Sequence, residues 1–212
     1  MKKPLITFFI LLFSVVSNAQ TASDLFKSDG PQIIWLGVDY SNVKLIGDFS
    51  EFGTSGIKNT VEIRDKFFPS WNNLILAEPK KYDIAGMLNK SDVKNDIGMV
   101  MKLNNNADVE NMEAYDNPEY TVEDIKKFIA AYDTQGKEGI GVALIAECLN
   151  KNATEAYYHF VAINMKTKEL LVHDRLIGKP GGFGLRNYWA GSIYSIVKDV
   201  KKTRYKKWKK EY

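Results

Sequence analysis

Two histidines, one cysteine and the charges beside them hold what acid–base or nucleophilic chemistry this chain could perform. His173 is followed at once by Asp174 and Arg175 at the end of an apolar run, a place where α/β folds put functional groups. With Cys148 or a serine as nucleophile, His173 as base and Asp174 as its acid, a hydrolase is one reading. No Gly-x-Ser-x-Gly elbow occurs and no serine has an activating context, so that reading rests on His173 and Asp174 near a glycine loop at 178–184. His159 reads as a strand histidine satisfied by local hydrogen bonds. Cys148 sits in the run Gly141–Leu149, which points to a buried, inert thiol, because nucleophilic thiols need an electropositive and accessible setting. Two isolated histidines and one cysteine give no metal-ligand spacing, so no metal and no cofactor is expected. The stretch Asp108 to Asp124 has seven acids and no base but lacks the ligand alternation of a calcium loop, and reads as a solvated acidic loop.

Two further stretches could bind rather than react. The loop Gly178-Lys-Pro-Gly-Gly-Phe-Gly184 precedes a helix, and the amides of Gly181, Gly182 and Gly184, with Arg186 alongside, could hold an anion. It is neither a phosphate-binding P-loop nor a dinucleotide fingerprint, and a turn needing positive φ at Gly181 or Gly182 explains it as well. The tail from Lys198 to Tyr212 carries eight bases against two acids. Lys201, Lys202, Arg204, Lys206, Lys207, Trp208, Lys209 and Lys210 are the candidates for docking on an anionic surface, with Tyr205, Trp208 and Tyr212 as one aromatic stripe. The same spacing also suits a helix whose aromatics pack on the body while its lysines are solvated.

The elements that must position these residues follow from periodicity. Gln32–Val38 is a near-continuous apolar run, the pattern of a strand covered on both faces, and Val43–Ile46 follows as a second strand. Glycines 53 and 56 mark a loop. Apolar residues at 57, 61, 68, 71 and 75 predict two helical pieces, or one kinked helix, around Pro69. Tyr82–Leu88 reads as a short strand or turn, and the alternation of Ile97, Met99, Met101 and Leu103 as a strand. Thr121 to Asp124 resembles a capping box that opens a helix through Tyr132. Gly139–Leu149, Ala156–Met165 and Glu169–His173 predict a three-strand meander, and Leu185 to Val200 an amphipathic helix.

The 212 residues are 45% apolar and 26% charged, the composition of an ordinary domain with one real core. Lys2 and Lys3, an apolar run from Leu5 to Val16, and Ser17-Asn18-Ala19 have the form of a signal peptide spanning 1–19. The run is too short to cross a bilayer, and no transmembrane helix is expected once it is removed. No cysteine follows it for lipid attachment. The expected product is therefore exported, periplasmic or secreted, soluble and not a lipoprotein, with residues 20–212 forming a single α/β domain and α+β left open as a class. Asn89-Lys90-Ser91 and Asn152-Ala153-Thr154 would act as sequons only in a eukaryotic secretory pathway.

The order strand, helix, strand, meander and closing helix, with a middle turn reading Asn164-Met-Lys-Thr-Lys-Glu-Leu-Leu171, resembles the periplasmic α/β modules of the curli-assembly lipoprotein and TolB N-terminal kind. The likeness covers mainly Gly139 to Val200. Lys168 stands where those turns have glycine, and the lipid-attachment cysteine of many such proteins is missing. The resemblance implies an assembly or scaffold role in the envelope, with no active site to carry over. The expectation from the sequence is a non-enzymatic binding or assembly module whose partner is an envelope protein, an anionic glycan or a lipid surface. Export argues against nucleic acid. The hydrolase, and a peripheral membrane protein docked by the basic helix 198–212, are the alternatives.

Overall fold

A computed structural model describes residues 20–50 and 59–212. The segment 1–19 expected to be a signal peptide and the loop expected at Gly53 and Gly56 lie outside these residues. The chain runs β1 (Ile33–Asp39), β2 (Lys44–Ile46), α1 (Thr60–Glu62), α2 (Phe68–Ala77), α3 (Ile84–Met87), β3 (Lys94–Asn95), α4 (Gly98–Asn105) and α5 (Val122–Ala130). The meander β4 (Ile140–Asn150), β5 (Glu155–Asn164) and β6 (Leu170–Gly178) follows, then α6 (Gly184–Asp199) and α7 (Tyr205–Glu211). These elements make an α/β protein with one mixed sheet in the order β3-β1-β4-β5-β6, with β2 pairing β4 beyond β1.

β4 is the spine of the sheet. Its first half pairs parallel with β1, from Ile33 opposite Ile140 to Asp39 opposite Ile145, and its last residues pair parallel with β2. β5 lies antiparallel along its other flank, and β6 along β5. Helices cover both faces, which is why β1 and β4 are apolar almost throughout. On one face Trp35, Leu144 and Phe160 pack with Phe68 and Trp71 of α2, Trp189 of α6 and Trp208 of α7. On the other, Leu36, Ile145 and Val161 pack with Val100 of α4 and Ile125 and Ile129 of α5.

α1 and α2 are one run joined by a π turn, Ile63–Phe67, just ahead of Pro69. The wider turn accommodates a residue that has no N–H to give the ladder. α5 opens with the predicted box: Asp124 N–H donates to Thr121 Oγ1 at 3.2 Å and Thr121 N–H to Asp124 Oδ2 at 3.1 Å. Two expectations need correction. Residues 84–87 are helical, started by Asp83, whose carboxylate accepts the Gly86 N–H at 2.8 Å. Residues 98–105 are α4, so Ile97, Met99, Met101 and Leu103 do not form a strand.

The reason α4 is a helix lies in β1. β3 covers the outer flank of β1 only at Ile34 and Trp35. Beyond the bulge at Gly37, two buried asparagines stand in for a strand. Asn72 of α2 accepts the Val38 N–H at 2.7 Å and returns its amide to Val38 O at 2.9 Å. Asn104 of α4 accepts the Tyr40 N–H at 2.6 Å and also donates to Val38 O at 2.9 Å. Gly37 is required twice over: its φ is +100°, and a Cβ there would lie 2.6 Å from Asn72 Oδ1. Asn72→Leu and Asn104→Leu should each cost about 1–3 kcal/mol by stranding a buried amide. The double variant should lose more than the sum, because Val38 O keeps one donor in each single variant. Urea midpoints of the three variants check this, and strict additivity would contradict it.

Candidate functional site

The polar group that runs from β4 across β5 to the edge strand β6 is not apparent from the sequence. Glu147 sits in β4 at a bulge opposite β5, its side chain fully buried. Arg175 of β6 clasps it with two bonds, Nη2 to Oε1 at 2.5 Å and Nε to Oε2 at 2.8 Å. His159 of β5, also fully buried, places Nε2 at 2.8 Å from Oε2 and Nδ1 at 2.8 Å from His173 Nε2. The two imidazoles stack at 5.1 Å between centroids, and Arg175 lies over the Tyr157 ring at 4.5 Å. Adjacent strands at the same register build this row: His159 pairs with Arg175 and Val161 with His173.

Burial pushes the Glu147 carboxyl up, but the Arg175 bonds and then His159 outweigh it and hold it at about 2. The carboxylate is therefore ionised and takes the Nε2–H of His159. His159 Nδ1 and His173 Nε2 share one hydrogen bond, whose donor is set by the tautomers of the two rings. Burial, then the neighbouring His159, lowers the His173 pKa below its usual value. Such a chain can polarise a base, and catalysis would further need a nucleophile beside it. His173 bonds only His159 among the described residues. Asp174 points to the opposite face, where it accepts from Trp208 Nε1 at 2.9 Å and Arg204 Nη1 at 3.2 Å. The His173–Asp174 dyad is thus corrected: neighbours in a strand face opposite ways, and the acid behind His173 is Glu147 through His159. Cys148 is buried, and burial followed by the nearby Glu147 charge pushes its thiol up to about 12, as expected of an inert cysteine.

One clue to this cluster was legible. Glu147 is the only acid within an otherwise apolar strand, and a buried carboxylate needs a cation across the sheet.

In the glycine loop, Gly182 at φ +120° and Gly184 at φ +75° need glycine, whereas Gly181 has ordinary φ. The positive φ expected at Gly181 or Gly182 falls on Gly182. The Gly181 amide donates to Tyr188 O at 2.9 Å and is spent on the fold, and the Arg186 guanidinium rests against Asn187. The loop lies back on α6 so closely that a Cβ on Gly191 would meet Gly181 O at 2.3 Å.

The tail continues α6 through a π turn, Val200–Arg204, into α7. Tyr205 and Trp208 face the core; Trp208 is 1% exposed, with its ring 4.5 Å from that of Phe160. Tyr212 stacks on Phe26 at 6.4 Å. Trp208 is therefore corrected from a docking residue to an anchor, and Arg204 likewise turns inward to Asp174 and Asp199. Lys201 pairs with Asp83 at 2.7 Å. Lys198, Lys202, Lys206, Lys207, Lys209 and Lys210 are exposed.

Residues four apart in an α-helix drift about 40° per step, so three steps would carry Lys210 about 120° away from Lys198. The π turn takes one extra residue per turn and winds most of that back. Lys198, Lys202, Lys206 and Lys210 consequently form one line about 18 Å long, at 1.5 Å per residue, opposite the buried Ile196, Val200, Tyr205 and Trp208. Comparison with family models, curated proteins and solved structures finds no match to this chain.

Proposed function

We propose that the chain is an exported, non-catalytic binding or assembly module of the bacterial envelope that meets an anionic partner through the outer face of its last helix. The observation that carries this reading is the pinned helix: Tyr205, Trp208 and Arg204 fasten one side to the body, and four lysines stand in line on the other. Ammonium groups held on a rigid element lose less freedom on binding than those on a free tail. The leader-like segment 1–19 and the likeness of 139–200 to periplasmic assembly modules support the compartment and the role. A hydrolase is less well supported, since His173 and Asp174 face apart and the Cys148 thiol stays protonated at neutral pH.

The test is binding of residues 20–212, which carry every described element, to immobilised dextran sulfate. Retention should fall steeply with salt, and Lys198→Glu, Lys202→Glu, Lys206→Glu and Lys210→Glu together should abolish it. Reversing Lys126 and Lys127 on α5 should leave it unchanged. Equal retention of the two reversal variants would overturn the reading.

A further inference from the structure

We infer that the anionic partner is a lipid bilayer, engaged by the lysine line together with Phe183 as an apolar wedge. This rests on the cationic-helix reading above and names its partner. Phe183 is 93% exposed, an unusual state for a phenyl ring with no polar atom to hydrate. It is held there by design of the backbone, between Gly182 and Gly184, both at positive φ. The loop that carries it lies along the outward line of α6. Gly181 N–H bonds Tyr188 O, a Cβ on Gly182 would sit 3.1 Å from Asn187 O, and Gly191 abuts Gly181. Asn187, Gly191 and Ser195 continue, at helical spacing, the line of Lys198, Lys202, Lys206 and Lys210.

One long helix thus has an apolar ring at its start and a row of ammonium groups over its last half, all on the side away from the core. Lys179 in the same loop adds a further exposed cation beside Ser195 and Lys198, where the lysine line begins. A row of this kind matches a layer of anionic headgroups, with the ring passing between them into the acyl boundary. The charges and the wedge are the two signals that reversible membrane anchoring takes. A soluble polyanion would satisfy the lysines alone and leave the ring in water.

Phe183→Trp supplies the reporter, because Trp35, Trp71, Trp189 and Trp208 are all buried, at 1% exposure or less, and cannot sense a surface. Residues 20–212 carrying Phe183→Trp are titrated with vesicles of mixed phosphatidylglycerol and phosphatidylcholine, and with phosphatidylcholine alone. Emission should shift to the blue with the anionic vesicles only, and less so as salt rises. Phe183→Ala should weaken partitioning about tenfold, and the fourfold Lys→Glu variant about a hundredfold or more. Melting curves should match the wild type for each, since all these side chains are exposed. Retention on dextran sulfate with no blue shift and no effect of Phe183→Ala on vesicle binding would overturn the bilayer proposal and leave the cationic-helix reading standing. Failure on both vesicles and polymer would remove both.

Discussion

Replacing Glu147 with Gln should cost on the order of 3 kcal/mol of folding stability at pH 7, the worth of holding a carboxyl at about 2 rather than 4.5. The volume is conserved, so the loss is electrostatic: Arg175 and His159 lose the charge that both of them address. The pH dependence has a definite sign. Glu147 binds its proton more weakly folded than unfolded, so its contribution is complete above about pH 4.5 and drains away as pH falls toward 2. His173 is also less basic in the folded chain, so its contribution is complete above 6.5 and declines as pH drops below that value. Urea midpoints at pH 7.5, 5.5 and 3.5 should therefore fall in order for the wild type. The step from 5.5 to 3.5 should shrink in Glu147→Gln. A wild-type midpoint that is the same at 7.5 and 3.5 refutes this account of the cluster.

Trp208→Ala should be the second large loss, about 3–5 kcal/mol and a melting temperature lower by about 10 °C or more. The indole fills a site beside Phe160 and is one of two donors to Asp174, so its removal leaves both a cavity and a half-satisfied carboxylate. Lys206→Ala and Lys209→Ala, a short step away on the same helix, should change stability by no more than about 0.5 kcal/mol. Thermal melts of the three variants separate an anchored helix from an appended tail: equal, small shifts for all three would mean that the tail does not pack.

The strands with continuous apolar runs, the meander and the two long helices were legible because period and capping agree with what packing finally selects. α5 is the clearest case, with Thr121 and Asp124 closing its cap as the spacing implied. α4 was not legible for a physical reason. Ile97 and Met101, and Met99 and Leu103, alternate at period two but also stand four apart, and so short a stretch satisfies both patterns. What decides between them is Asn104, which must reach the backbone of β1 from a helix, a demand set 64 residues away. The tail was read correctly in charge and left open in orientation. Its aromatics turn inward because Phe160 and Asp174 offer a ring and an acceptor on the face beneath, neither of which adjoins the tail in sequence. The Glu147 cluster needs three strands in register before its members meet.

The place of β4 between its partners also sets an order of assembly. β5 and β6 reach it through short reverse turns, so the meander can close on itself as soon as it exists. β1 cannot do so: Ile33 meets Ile140, 107 residues further along the chain, and the entropy of closing so long a loop is lost before the contacts repay it. Apart from the two-residue pairing of β1 with β3, the first two thirds of the polypeptide therefore have no sheet to join until the last third arrives as a template.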